Sequence, residues 1–334
     1  MEPSVRKQFN EEIIKEAAHF FGADAQIAKK LGEAENYVYE VKLDGAPAIL
    51  RITHSSHRSL DQLLAELEWI EFLHRKGIRV SRPFNSNGAN VHVIPLETGT
   101  EFYCCLFEKA MGDRITADGP QWIEPLFIEW GRTIGKMHNA SIEYEPALGK
   151  PRRPHWNEEE LLDIERYKPD VSDEILQHKN VLLRKLNGLT KNNFGLIHSD
   201  LHTGNFHYHR EELYLFDFDD SSYHWFASDV AIPLYYYAWT LEKNGEPNPV
   251  EKCTLFFSGF LKGYEQERSF TEEMANSISI FLKLRDFVLY TFLLKKFGAE
   301  EIEETYRNLM SAIKQRIEED REIISMERLL KPFY

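Results

Sequence analysis

The chain has 334 residues, 43% of them hydrophobic, and a formal net charge of −14. That length exceeds the usual reach of one core, so two domains or lobes are expected, and the composition is that of a folded globular chain. The acidic balance argues against a nucleic-acid surface, three cysteines set no disulfide framework, and no run nears the ~18–20 apolar residues of a membrane span.

Two of the cysteines, Cys104 and Cys105, are adjacent in a strand-like run, and the first residues lack the apolar core of a signal peptide. Both features point to a reducing, cytoplasmic setting. In chain order, Glu11 to Phe21 has helical spacing and ends at Gly22. Tyr37 to Leu43 alternates as a strand, Asp44-Gly45 signals a hairpin, and Ala48 to Ile52 returns. A helix over Leu60 to Arg75 shows Leu60, Leu63, Leu64, Leu67 and Ile70 on its apolar face. Strands follow at Asn90 to Pro95 and Phe102 to Phe107. Across Glu108 to Gly112 the pattern turns helical, which divides the chain into residues 1–108 and 109–334. Helices are expected over Trp122 to His138, Ile175 to Leu189, Asp229 to Leu241, Met274 to Phe297 and Glu300 to Leu330. There is neither a fixed-period repeat nor a low-complexity linker.

One stretch, Gly195 to Asp220, breaks the helical half. A short apolar run, Leu196-Ile197, leads into a polar loop holding Asp200 and Asn205, and a second strand, Leu213 to Phe216, delivers Asp217. An acid, an amide five residues on and a second acid one strand later are what phosphoryl transfer needs. Asp200 would accept the hydrogen bond of an attacking hydroxyl and take its proton late. Asn205 and Asp217 would supply hard oxygen ligands to Mg2+, which keeps waters and phosphate oxygens as its remaining ligands. Asp219 and Asp220 crowd the same stretch; one of them would either assist a second metal or cap the next turn, and the cap is the favoured reading. His198, His202, His207 and His209 lack a tetrahedral ligand pattern. His198 reads instead as holding the loop by hydrogen bonds.

His198-Ser-Asp200-Leu-His-Thr-Gly-Asn205 and Leu215-Phe-Asp217-Phe-Asp-Asp220 resemble the catalytic loop and metal-binding strand of the aminoglycoside phosphotransferase and choline kinase family. Ile49-Leu-Arg-Ile-Thr53 and Leu284-Arg-Asp-Phe-Val-Leu-Tyr290 look like its bacterial branch of type II homoserine kinases and RdoA-like kinases. The resemblance implies an α+β, bilobal, protein-kinase-like fold with a small antiparallel-sheet N-lobe and a larger, mostly helical C-lobe. It implies ATP and Mg2+ as cofactors and a small-molecule hydroxyl as acceptor. It also makes Asp229 a structural anchor for the catalytic loop.

The nucleotide half is less explicit. The phosphate turn, Gly32-Glu-Ala-Glu-Asn36, is poor in glycine, and backbone N–H groups near Asn36 would cradle phosphate oxygens. Arg51 stands where protein kinases carry lysine and would contact the α- and β-phosphates. Glu66, Glu68 and Glu71 compete to orient Arg51; helix geometry puts Glu66 on a partly buried flank, and it matches the family's helix glutamate. Phe107, Glu108 and Ala110 resemble the hinge, with the backbone of Glu108 and Ala110 bonding adenine. Trp225, Tyr235, Tyr236, Tyr237, Trp239, Arg285 and Tyr290 are candidates for the acceptor pocket, either as an ammonium cage or as plain core. A Ser/Thr protein kinase of the RdoA kind and a catalytically silent, nucleotide-binding pseudokinase are the competing readings. The acceptor's identity and the oligomeric state are not legible.

Overall fold

The structure is a computed structural model, and it describes residues 3–117, 119–146, 148–297 and 303–331. The chain divides into two compact units. The first holds residues 1–113 and takes back two later segments, 144–153 and 214–219; the second holds 114–143, 154–213 and 220–334.

In the first unit α1 (Pro3–Arg6) and α2 (Glu11–Phe20) precede β1 (Ala23–Glu33), β2 (Tyr37–Leu43) and β3 (Ala46–His54). After α3 (Leu60–Arg75) come β4 (His92–Pro95) and β5 (Glu101–Glu108). The five strands form one antiparallel sheet in the order β1-β2-β3-β5-β4. Asp44 and Gly45, with φ of 50° and 80°, close the β2–β3 hairpin, where Leu43 pairs with Ala46. That is the two-residue turn whose twist matches the strands, and it favours a short polar residue followed by glycine. Leu50, Ile52, Cys104 and Leu106 share one buried cluster with Ile13, Ile14, Ala17 and Ala18 of α2. The alternate residues of β3, Arg51 and Thr53, are also buried but stand outside that cluster. Period-two alternation thus turns a cation away from the apolar core without bringing it into water.

The second unit contains α4 (Glu124–Ile142), α5 (Ile164–Tyr167), α6 (Asp173–Asn187) and the short strands β6 (Phe194–Ile197) and β7 (Phe206–His209). The chain passes back through β8 (Glu212–Leu215), returns at β9 (Ser222–Trp225), and continues in α7 (Phe226–Lys243), α8 (Pro249–Tyr264) and α9 (Glu272–Phe297). It closes with α10 (Glu304–Glu318) and α11 (Met326–Leu330). The stretch expected to be helical from Glu300 is therefore two helices, and its first residues lie outside the described ones. The α4–α8 crossing is held by two glycines. A Cβ on Gly131 would sit 1.8 Å from the Phe260 carbonyl oxygen, and one on Gly263 would sit 1.8 Å from that of Ile128.

Two strands escaped the periodicity argument. β1 reads Ala-Asp-Ala-Gln-Ile-Ala-Lys-Lys-Leu-Gly-Glu and is interrupted by register shifts, so it shows no clean alternation. β9 pairs with β6 although only four residues long.

Candidate active site

The candidate residues fall into two sets, one in each unit. In the first, Arg51 donates from Nη1 and Nη2 to the two carboxylate oxygens of Glu66, both at 2.7 Å. Glu66 is fully buried and Arg51 is 6% exposed. Burial opposes the arginine's charge, but the Glu66 carboxylate outweighs it and raises the arginine's pKa further. The Arg51 guanidinium also lies 5.0 Å from the centroid of the Phe107 ring. The helix register explains the choice of glutamate. Leu63, Glu66, Ile70 and Leu73 are buried on one face of α3, whereas Glu68 is half-buried and Glu71 faces Arg82 at 3.4 Å. Leu64, placed on the apolar face by its spacing, is 40% exposed. Ser59 and Gln62 close a reciprocal capping box at the helix start.

Asn36 is 8% exposed and tied on both sides: its Oδ1 accepts from Thr53 Oγ1 at 2.7 Å and its Nδ2 donates to Asp219 Oδ2 at 3.1 Å. Asp219, which the sequence presents as a turn cap, is the hub of a polar cluster. His57 Nε2 lies 2.7 Å from it and Arg58 Nε 3.3 Å, while its backbone carbonyl accepts from Arg153. His57 Nδ1 faces Glu35 at 2.7 Å. Burial pushes His57 down, but Asp219 and Glu35 outweigh it and raise the ring to about 9. Burial likewise opposes the Asp219 charge, yet Arg58 and His57 hold it well below the carboxylate range. The phosphate turn is thus tied through Glu35 and Asn36 to the strand end that carries Asp217. Asp217 itself sits at φ 65°, a left-handed conformation that costs a non-glycine residue free energy and marks functional turns. Glu108 ends β5, and its N–H donates to the Arg82 carbonyl at 2.8 Å. Ala110, two residues beyond the end of β5, is half-buried.

In the second unit the loop that follows β6 hangs from Asp229 of α7. The carboxylate accepts the N–H groups of His198 at 3.2 Å and Ser199 at 2.8 Å, and His138 Nε2 lies 3.4 Å away. Ser199 takes φ 68°, which needs such anchoring. Asp229 and His198 are fully buried, so the anchor reading matches this geometry. Strand β6 enters through Gly195, where a Cβ would sit 2.3 Å from Ser141 Oγ.

Asp200 is clasped from several sides. Arg285 of α9 donates from Nη2 to Asp200 Oδ1 and to the Tyr236 hydroxyl, which lies 3.3 Å from the same oxygen. Asn205 Nδ2 donates to the Asp200 backbone carbonyl at 2.9 Å and to Oδ2 at 3.2 Å. His202 Nε2 is 3.4 Å from Oδ2, and its ring packs 4.2 Å from that of Tyr236. Burial pushes the Asp200 carboxyl up, but Arg285, then His202 and His198, outweigh it and hold it far below its usual range. It is ionised at any physiological pH. Burial pushes the Tyr236 hydroxyl up, so it remains a donor.

Three of the remaining aromatic candidates are engaged in the core. Tyr235 is buried against Asp286 and Arg316, Tyr237 packs on Trp122 and Phe256, and Trp225 packs on Trp156 and Phe194. A cavity in this unit is lined instead by Trp156, Glu159, Asp220, His224, Phe281 and Arg285, among others. Trp156 starts one short 3-10 turn (Trp156–Glu158) and Glu159 caps the next (Glu160–Leu162), turns that no periodicity signals.

Among the described residues no group of three or more His, Cys, Asp or Glu is placed to hold a metal. Oxygen donors of the kind a divalent ion takes are present in each unit taken by itself: Asn205 spends its amide hydrogens on Asp200, which leaves Oδ1 as its oxygen donor, and Asp217 carries a carboxylate in the first unit.

A buried arginine–glutamate pair on a five-stranded sheet, and an anchored loop presenting an acid and an amide, define a kinase-like phosphotransferase. Residues 28–268 match the phosphotransferase enzyme family, and the chain belongs to it. It is 35% identical over 320 residues, 94% of each chain, to an amicoumacin kinase from Bacillus subtilis (strain 168). A solved amicoumacin kinase in complex with AMP-PNP, Ca2+ and Ami matches with a TM-score of 0.91 at 35% identity, covering 98% of this chain and 100% of that one. A microcompartment-associated aminopropanol kinase matches at TM-score 0.73 and 17% identity over 97% of this chain and 98% of its own, a likeness of fold. The chain is therefore an ATP-dependent kinase that phosphorylates an alcohol group of a small molecule and uses a divalent metal ion.

Proposed function

We propose that the acceptor is amicoumacin or a compound of closely similar chemistry, and that Asp200 is the residue that receives the acceptor's proton. The likeness to amicoumacin kinase over nearly the whole of both chains carries the first part. The clasp around Asp200 carries the second. A carboxylate held ionised by Arg285 is a weak base, which suits a loose phosphoryl-transfer transition state in which the hydroxyl proton moves late. Asp200 then acts mainly by orientation, with Asn205 and Tyr236 fixing its plane. When bound, a divalent ion held by Asn205 and Asp217 would neutralise phosphate charge. Arg51, fixed by Glu66, would hold phosphate oxygens, and the backbone of Glu108 and Ala110 would meet the adenine edge. On this reading residues 1–108 serve the nucleotide and 109–334 serve catalysis and the acceptor. A cytoplasmic enzyme fits the three cysteines, all of them free and buried.

Incubation with ATP, Mg2+ and amicoumacin should release ADP well above the rate without acceptor and give a singly phosphorylated product by mass. If amicoumacin adds nothing to the basal rate while other hydroxylated amines do, the acceptor assignment is wrong and the kinase assignment stands.

A further inference from the structure

His224 stands on β9 with one ring nitrogen engaged and one open. Side chains alternate along a strand: Ser222 and His224 both line the cavity of the second unit, whereas Tyr223 between them faces His155. His224 Nδ1 accepts the N–H of Trp225 at 2.9 Å. Burial lowers the ring to about 3 against the pull of the Asp229 carboxylate, so the imidazole is neutral. A neutral imidazole has one accepting and one donating nitrogen, which puts the hydrogen on Nε2, at the tip of the ring. The residue is 7% exposed; Nε2 meets no described acceptor, and it is not among the unpartnered side-chain atoms sealed inside the protein. The small open part of the ring therefore includes Nε2, and the side chain that carries it lines the cavity.

The ring is also held in place. Phe281 meets it edge to face at 5.4 Å, Trp225 does so at 5.6 Å, and Trp156 lies 6.1 Å away. With Nδ1 tied to the backbone as well, the direction of the Nε2 hydrogen is set before a ligand arrives. Trp156, Leu161, Ile232 and Phe281 make much of the cavity wall apolar, and Glu159 and Asp220 add carboxylates to it. An anionic group would be repelled by those carboxylates, and an ammonium has no lone pair to offer an N–H donor. The group that suits Nε2 is thus a neutral oxygen, and a carbonyl oxygen, which carries no hydrogen, can only accept. The cavity also adjoins the candidate base: Ser199, the residue before Asp200, lines it, and so does Arg285, which donates to Asp200.

We propose that His224 is a specificity-determining residue for the acceptor, donating from Nε2 to a neutral carbonyl oxygen on an apolar part of it. The inference rests on the small-molecule acceptor reading above and names a chemical feature that such an acceptor carries besides its reacting hydroxyl. The apolar part would rest on the Trp156 and Phe281 side of the cavity while the carbonyl meets the ring tip. An acceptor with a methylene in place of the carbonyl would leave the Nε2 hydrogen unmet. His224 is outside the clasp on Asp200, so its bond is as strong before transfer as during it. Losing that bond should raise KM for the acceptor more than it lowers kcat.

The test uses the two amides that mimic the two ring nitrogens. In His224→Asn, Oδ1 stands near the place of Nδ1 and still accepts from Trp225, but nothing replaces the Nε2 donor. In His224→Gln, the amide nitrogen reaches the place of the ring Nε2 and restores a donor, while the Trp225 bond is given up. Steady-state kinetics with ATP, Mg2+ and amicoumacin are measured on the full chain and on both variants. KM for amicoumacin should rise by roughly 5- to 50-fold in His224→Asn and by several-fold less in His224→Gln, with KM for ATP unchanged in both. A merely structural histidine gives the opposite order, because glutamine loses the backbone bond that asparagine keeps. That order, equal effects, or an unchanged KM in His224→Asn overturns the inference. Where amicoumacin is not turned over, or His224→Asn does not fold, a neutral pair of acceptors decides on the parent. The pair is 2-hydroxyethyl benzoate and 2-(benzyloxy)ethanol, which differ only by carbonyl against methylene. The parent should favour the ester by roughly 5- to 50-fold in kcat/KM, and equal values overturn the inference. That preference with amicoumacin inert overturns the amicoumacin assignment and leaves this inference standing. Turnover of amicoumacin with His224→Asn unaffected does the reverse, and turnover of none of the three compounds overturns both.

Discussion

At the scale of single residues, the account turns on buried charges and their partners. Arg51 and Glu66 pair through both carboxylate oxygens inside the first unit. Removing one member leaves the other uncompensated, which costs about 3–5 kcal/mol in typical proteins, whereas the intact pair adds little net stability. Glu66→Gln should therefore lower the unfolding free energy by about that range in chemical denaturation, and weaken ATP binding as a consequence. A Glu66→Gln variant as stable as the parent would contradict the buried pair. Helix spacing put Glu66 on a partly buried flank beside Ile70 and Leu73, and its match to the family's helix glutamate favoured it, but Glu68 and Glu71 stayed open until the fold paired Glu66 with Arg51. The role of Asp219 was not legible. Its partner Asn36 lies 183 residues away, and four consecutive residues that alternate acid and aromatic look like any solvated turn. Arg285 was visible as a cation of either internal or substrate-directed use, and only the fold shows that its partner is Asp200.

At the scale of elements, the second unit depends on close helix approach and on the loop's anchor. The two glycines of the α4–α8 crossing face carbonyl oxygens and backbone, which cannot swing aside as a flexible side-chain end can. Gly131→Ala or Gly263→Ala should cost at least about 2–3 kcal/mol of stability, the upper part of the usual range for overpacking, or prevent folding. Gly88→Ala meets no atom within 4 Å, and its strain comes only from φ 86°. It should cost about 1 kcal/mol. Equal effects at the two kinds of position would contradict the close crossing. Periodicity recovered α3, α7 and α9 close to their expected spans, but not α8, for which no helix was expected. The irregular β1 and the 3-10 turns that line the cavity were not, because a chain with bulges or three-residue turns presents no period to read.

At the scale of the whole molecule, pH should act through the cluster on Asp219. His57 is raised in the folded protein to about 9. A raised cation contributes stability in full below its unfolded value of about 6.5, and that contribution is lost as pH rises through the folded value. The melting temperature should fall from pH 6.5 to 9 more steeply in the parent than in His57→Gln; parallel curves would remove His57 from the account. No helix among the described residues is long and apolar enough to cross a membrane. Nucleotide should add to stability by mass action, about 2.7 kcal/mol at a hundred times its dissociation constant, and the share that depends on Mg2+ should vanish in Asp217→Ala. Unchanged Mg2+ dependence in that variant would withdraw Asp217 from the metal.

The most direct measurement is single-turnover phosphoryl transfer from ATP to amicoumacin, run beside nucleotide titration on the parent and on Asp200→Asn. The substitution keeps the size of the side chain and removes its charge. The account predicts nucleotide affinity within a factor of about two and transfer slower by ~10²–10⁴-fold, the usual worth of a positioned base. Transfer within a few-fold of the parent would contradict the assignment of Asp200 and, with it, the reading of the clasped loop as the catalytic centre.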